Sequence, residues 1–371
     1  MKNNTLVKIY HCLLLVLGMM ATFNTSYAQF ITTWKTSNPG KSNHHQITIP
    51  AKGNYQISWQ EIRNLANKGI AQGKDETTLT FPKVGIYQIS ITGGLRQIQF
   101  TTQGDKDKLL TIEQWGNISW ESMESAFAGC SNMNCVAQDA PDLSRVKSMR
   151  SMFRDCTQFN GKIGHWNTSQ VTNISFMFDG AESFNQPIGE WNTSQVNNMQ
   201  GMFRKAQVFN QPIGQWNTGQ VTLMSHMFFM AKSFDQPIGQ WNTNKVTNTK
   251  KMFAGASRFN QPIGGWNTSE VVDMSHMFFM TSSFNQPIAA WNTSKVTNMS
   301  YMFYGAEAFN QPIGQWNTSN VGTMRAMFYQ ARAFNQPIGN WDVNKVVSMR
   351  EMFSKATHFK QDLSHWKQLK K

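Results

Sequence analysis

The chain has 371 residues and a formal net charge of +13, with only 15 % charged side chains. That length exceeds what one compact core usually fills, unless the chain is a stack in which each unit packs only on its neighbours. Uncharged Asn, Gln, Ser and Thr alternate with apolar anchors at regular intervals, which excludes a freely solvated disordered chain.

Residues 1–28 read as a signal peptide. Lys2 and Lys8 give a basic start, Ile9 to Met20 is mostly apolar, and Ser26-Tyr27-Ala28 is a small-x-Ala site that places cleavage between Ala28 and Gln29. The apolar core of about 12 residues is short of the roughly 20 needed to span a bilayer. Cleavage leaves 32 basic against 21 acidic side chains, a net +11. The expectation is an extracellular or cell-surface protein with no transmembrane segment after cleavage. Its basic residues are scattered and no nucleic-acid module accompanies them, so the charge is read as a basic surface and no nucleic-acid partner is expected.

Residues 29–105 carry short β-rich runs at Ile47–Pro50, Tyr55–Trp59, Thr78–Phe81, Ile86–Ile91 and Gln97–Phe100, punctuated by Gly53, Pro82, Gly85, Gly93 and Gly94. The pattern predicts a small β-sandwich-like module, with Gln60 to Ala71 as a short helix or loop.

From there a 25-residue period takes over. Trp166, Trp191, Trp216, Trp241, Trp266, Trp291, Trp316, Trp341 and Trp366 mark it without a break. A fixed period of this length signals a solenoid. Residues 106–158 read as degenerate capping repeats: Val146, Met149, Met152 and Phe153 are in phase, but Pro141 stands at the Trp place and the run Trp115 to Cys130 is one residue out of frame. Residues 159–371 form the solenoid proper with a charged C-terminal cap, Lys360, Asp362 and Leu363 replacing the usual Asn, Pro and Ile. Within each repeat, Val171, Ile174, Met177, Phe178 and Ala181 recur at spacings of three and four, which predicts one face of a short helix, N-capped around Thr172 and ended near Gly180. Pro187 to Trp191 reads as a short strand stacking into a parallel sheet. The fold class expected is therefore an α/β repeat solenoid, leucine-rich-repeat-like, with a short parallel strand plus a short helix per turn.

The invariant letters read as scaffold. A residue repeated at fixed period marks the buried face, so Trp191, Trp216, Trp241, Trp266, Trp291, Trp316 and Trp341 are read as a structural core ladder rather than a sugar-stacking surface. The Asn-Gln pairs, such as Asn185-Gln186, are read as satisfying backbone from one coil to the next, with Asp235 and Lys360 as exceptions. Asn167-Thr-Ser169 and its copies match a glycosylation acceptor but read as turn chemistry. Cys130 and Cys156 fall in a small-residue column, and Cys130 can bridge Cys135 or Cys156, leaving one thiol over. His226 and His276 lie two coils apart, about 10 Å, too far to share a metal. No carboxylate pair, nucleophile motif or phosphate loop appears, so neither enzyme activity nor a cofactor is expected. Function is placed in the letters that vary: Phe229, Phe279, Tyr304 and Tyr329, with Met230 and Met280 beside them, form a candidate interaction patch.

The line FNQPIGxWNTSxVTNMSxMF, covering roughly residues 110–371, resembles the BspA-like leucine-rich-repeat surface proteins of bacteria, in the subtype with Trp and Met-Phe repeats. The opening FITTWKTSNPG followed by QITIP also resembles the first module of such proteins. The chain departs from that pattern in lacking the Leu-x-x-Leu-x-Leu strand signature. The resemblance implies an exported, surface-associated solenoid engaged in adhesion, with an extracellular protein or glycan as partner. The rival expectations are a structural, self-associating envelope spacer and, third, a polysaccharide-active enzyme.

Overall fold

The computed structural model describes residues 29–100, 104–364 and 366; the signal segment and its cleavage site at Ala28 lie outside or at the edge of them. The N-terminal part is β-structure: β1 (Phe30–Lys35), β2 (Gln46–Ile49), β3 (Ala51–Glu61), β4 (Asn64–Lys74), β5 (Thr77–Thr80), β6 (Ile86–Ile98), β7 (Leu109–Gln114) and β8 (Asn134–Cys135). Six strands pair in the order β4-β3-β6-β1-β7-β8, and β2 pairs with β5 in a second, two-stranded sheet. The period-2 rule is visible in β3, where Ala51, Gly53, Tyr55 and Ile57 face inward and the residues between them face water. Residues 60–71, expected as a helix or loop, instead turn the β3–β4 hairpin and supply most of β4. The sheet continues past residue 105 through β7, which pairs antiparallel with β1 and parallel with β8. That change of direction hands the module over to the coils.

A buried ammonium braces the module. Lys108 Nζ donates to the carbonyls of Ser42, Asn43 and Gln46 and to the Ser42 hydroxyl at 2.8–3.0 Å. Asp105 lies 3.7 Å away and accepts the amides of Ser42 and Thr48. A buried charge persists only when it is paired and fully hydrogen-bonded, and these contacts tie the loop before β2 and the first residues of β2 to residues 105–108.

The coils are not helical, and the expected α/β solenoid is overturned. Among the described residues the only helix is one turn of 3₁₀-helix, Lys106–Lys108. The segment read as a helix carries a different backbone. Met177 N donates back three residues to Ile174 O, but Phe178 N donates to Met202 O on the next coil; Asp179 N returns to Phe176 O, and Gly180 N goes on to Arg204 O. Alternate amides thus close tight turns and cross to the neighbour. An α-helix spends every interior amide within itself, so it cannot stack in this way. The chain achieves the alternation with two left-handed residues per coil, four apart: Phe176 and Gly180, His226 and Met230, His276 and Met280, Ala326 and Gln330. Three-residue turns return the chain to the core face every third residue, so their apolar spacing imitates a helical one.

The strand assignment moves as well. Parallel bridges join Asn173, Asn198, Leu223, Asn248, Asp273, Asn298, Thr323 and Ser348, inside the segment read as helix. The Pro187–Trp191 stretch, read as the strand, is a turn closed by Trp191 N to Ile188 O. Thr172 is no helix cap: its hydroxyl donates to Lys147 O on the preceding coil, while Asn173 Oδ1 accepts the Ser175 amide.

Polar columns knit the stack. Asn160 Oδ1 accepts both the Asn185 amide and Gln186 Nε2 from the next coil, and the arrangement repeats to Asn335. Only an acceptor is used, so Asp235 serves equally, receiving Asn260 N and Gln261 Nε2. Lys360 is tolerated on the last full column place because there it offers only its amide, to Asn335. In the Asn-Thr-Ser turn, Asn167 Oδ1 accepts Ser169 N and the buried Thr168 hydroxyl donates to Asn192 O. These side chains are occupied by the backbone.

Aromatic columns fill the interior. Phe178, Phe203, Phe228, Phe253, Phe278, Phe303 and Phe328 stack at 5.6–5.8 Å, and each lies 3.8–4.0 Å from the next Phe of its own coil. Trp191, Trp216, Trp241, Trp266, Trp291, Trp316 and Trp341 are buried. Each Nε1–H donates to the Ile carbonyl one coil back, as Trp241 does to Ile213 at 3.1 Å. Trp166 meets the irregular coil before it and its Nε1–H finds no partner. Cys130, Cys135 and Cys156 are buried free thiols, and burial pushes Cys135 up to about 11 and Cys156 higher still. They remain protonated at neutral pH and fill space in the core.

Candidate interaction face

The side chains that the stack does not consume emerge from the two left-handed places and from the residues preceding them. Phe279, Tyr304 and Tyr329 come together as one stack, with centroids 4.7 and 4.5 Å apart. Phe229 stands apart because Ala254 occupies the column on the coil between it and Phe279. The rings are half-buried, and Met230 and Met280 are 39 % and 45 % exposed. Each Met lies across a glycine of the next coil. A Cβ on Gly305 would meet Met280 Sδ at 2.5 Å, and one on Gly255 would meet Met230 Cγ at 3.2 Å. Both glycines are also left-handed, with φ of +75° at Gly255 and +66° at Gly305, a conformation that glycine adopts without steric cost.

Sequence reasoning missed the cations and imidazoles interleaved with these rings. The Arg204 guanidinium and Lys251 ammonium lie 5.7 and 5.9 Å from the Phe229 centroid. Arg325 covers Tyr301 at 5.6 Å and Lys355 covers Tyr329 at 5.3 Å. His276 stacks on Tyr301 at 4.6 Å. The available signal was a spacing of three: His226, His276 and Tyr301 precede Phe229, Phe279 and Tyr304 by that interval, and the tight turns bring such pairs within 5.7–6.1 Å.

Charge on this face is unbalanced. Arg204 pairs with buried Asp179 at 2.9 Å, and burial raises the Asp179 carboxyl above its ordinary value. Lys250, Lys251, Arg325 and Lys355 have no ion-pair partner among the described residues. On another column three lysines each reach a side chain one turn back: Lys295 the Glu270 carboxylate at 2.7 Å, and Lys245 and Lys345 the amide oxygens of Gln220 and Asn320. Burial, and then the charge of Lys251, push His226 and His276 down to about 4 from an ordinary 6.5. Both are therefore uncharged at neutral pH.

These depressed values carry a stability consequence. Between pH 6.5 and about 4 the unfolded imidazoles take up protons that the folded ones, facing Lys250 and Lys251, and at His226 also Arg204, with only Asp273 in opposition, refuse. Stability contributed by neutral His is present above pH 6.5 and lost as the pH falls towards 4. Thermal melts should show a lower Tm at pH 4.5 than at pH 7.5. The double variant His226→Asn, His276→Asn, whose Asn residues accept a positive φ, should narrow that gap. A gap of unchanged size would remove the two histidines as its source.

No group of three or more His, Cys, Asp or Glu among the described residues is arranged to hold a metal ion. A cleft of about 580 Å³ lies between the module and the first coils, lined by Phe100, Lys106, Arg150, Arg154 and Asp155. Its three cations are paired with Asp107, Glu124 and Asp155 or Asp179, so it offers no free charge.

Three overlapping stretches, residues 121–236, 211–300 and 285–370, match one family, described as Mycoplasma protein of unknown function, DUF285. The chain belongs to that family. The DUF285 match spans the coils and their recurring Trp and Phe places, and begins between β7 and β8. No curated protein matches the chain and no solved structure does. No helix among the described residues is long and apolar enough to cross a membrane.

Proposed function

We propose that this DUF285 protein is an exported, non-enzymatic binding protein of the BspA-like kind, displayed at the cell surface or released, whose coil stack engages an extracellular protein or glycan. One observation carries the reading. The repeated Trp, Phe, Asn, Gln and Thr side chains are engaged in the contacts that hold every coil to the next, whereas the variable rings Phe229, Phe279, Tyr304 and Tyr329 and the cations Lys251, Arg325 and Lys355 meet mainly one another, outside the buried columns. Surfaces enriched in aromatic residues, Met and Arg are the common composition of interaction sites. Rigid coils hold these side chains without a large ordering cost on binding.

The test is a panel of matrix proteins and of neutral and charged glycans presented to the chain from Gln29 onward. Capture of at least one member is expected, and Phe279→Ala with Tyr304→Ala should weaken it tenfold or more while the melting profile stays near that of the parent. Capture that is indifferent to this double variant would remove the face from the reading. No capture at all would remove the reading itself.

A further inference from the structure

We infer that the face from Arg204 to Lys355 is a linear site for an anionic, carboxylated polysaccharide lying along the axis of the coils. The inference rests on the binding reading above and adds the chemical class of the ligand.

Shape is the first ground. The side chains form a narrow band, with pairs such as His276 and Phe279 or Tyr301 and Tyr304 side by side on one coil at 5.7 and 6.1 Å. Coils stacked at about 4.8 Å per turn place Arg204 and Lys355 roughly 30 Å apart. Between them stand Phe229, Lys251, His276, Phe279, Tyr301, Tyr304, Arg325 and Tyr329, on successive coils. A line of this kind suits an extended polymer.

Sign is the second. Lys250, Lys251, Arg325 and Lys355 lack carboxylate partners among the described residues, and all four lie on this one face within five successive coils. Three of the four sit on ring faces that fix their heads in place. The rings add to the same sign. Phe279, Tyr304 and Tyr329 lie face to face along the axis, so ring edges rather than faces meet the solvent, and the edge is the positive end of the aromatic quadrupole. Neutral sugars bind aromatic residues through free ring faces, and in this stack the inner faces cover one another while Lys355 lies over Tyr329.

The third ground separates a glycan from an acidic peptide. Extended peptides usually dock by adding a strand to an unpaired backbone edge. Under this line the amides of His276, Met280, Tyr301 and Gly305 are spent on Ser300, Tyr304, Arg325 and Tyr329 carbonyls of the next coil. Recognition must then run through side chains alone: ammonium and guanidinium groups for carboxylates, and the Tyr301, Tyr304 and Tyr329 hydroxyls for sugar hydroxyls.

The experiment titrates the chain from Gln29 onward with polygalacturonate, neutral dextran and poly-glutamate, at low and at physiological salt. Polygalacturonate should bind, more weakly at the higher salt as screening requires, and dextran should not. The triple variant Lys251→Asn, Arg325→Gln, Lys355→Asn should lose tenfold or more of the affinity. The charge-matched control Lys245→Gln, Lys295→Gln, Lys345→Gln, on the paired column, should retain it. Dextran binding as tightly as polygalacturonate, poly-glutamate binding more tightly than it, equal losses in both triple variants, or no polygalacturonate binding would each overturn the inference. If a protein or neutral glycan from the wider panel still binds through Phe279 and Tyr304, the binding reading stands and only the ligand class falls; if nothing binds, both fall.

Discussion

Replacing Phe253 by alanine is expected to destabilise the coil stack by about 3–5 kcal/mol, the range for emptying a buried aromatic place. The side chain is fully buried. It stacks on Phe228 and Phe278 at 5.6 and 5.8 Å, and on Phe259 of its own coil at 4.0 Å. Deletion therefore removes contacts from three coils at once. A stack behaves as a row of units coupled to nearest neighbours, so a defect in the middle weakens the coupling between two halves as well as one unit. Urea unfolding followed by tryptophan fluorescence should shift to lower midpoint and broaden or split. Phe353→Ala is the comparison. Phe353 is only partly buried and has a stacked column neighbour on one side, Phe328 at 5.8 Å, so its loss should cost less. Equal effects at the two places would contradict nearest-neighbour coupling.

The second large effect concerns a single acceptor atom. Asn285 Oδ1 receives the Asn310 amide and Gln311 Nε2, both at 2.9 Å. Asn285→Leu should cost about 1–3 kcal/mol, because it leaves a partly buried amide without a partner. Asn285→Asp should be close to neutral, since Asp235 already performs the same task two coils earlier for Asn260 and Gln261. Hydrogen exchange at the Asn310 amide reads the difference directly: fast in the Leu variant, protected in the Asp variant. Exchange that is slow in both would mean that the amide has another acceptor.

The predicted and observed folds diverge at one kind of place. Val171, Ile174, Met177, Phe178 and Ala181 all face the core, and their spacing says so. The same spacing belongs to an α-helix and to a chain of three-residue turns, so it cannot choose between them. A warning was present in the glycines. Gly201 falls inside the segment taken for a helix, where it would cost about 1 kcal/mol relative to alanine, and Gly180, Gly255 and Gly305 recur at its expected end. They mark the left-handed places that His226, Lys251, Tyr301 and others also occupy. The interaction face was half legible for a related reason. Its rings stand out as variable letters in a fixed frame, but Arg204, Lys251, Arg325 and Lys355 come from different places in the repeat and meet the rings only when coils are laid side by side.

What the sequence determined by itself was the unit and its division of labour. The 25-residue period forces a stack, and the invariance of Trp191 and its copies assigns them to the interior, because a side chain repeated on every coil meets its own copy. Tertiary structure decided the backbone that realises the stack. One isolated unit would favour a helix that satisfies its own amides. Only the presence of a second coil, offering carbonyls such as Met202 O and Arg204 O to Phe178 and Gly180, makes it cheaper to turn every other amide outward, and that exchange requires two left-handed residues per coil that no single repeat would adopt alone.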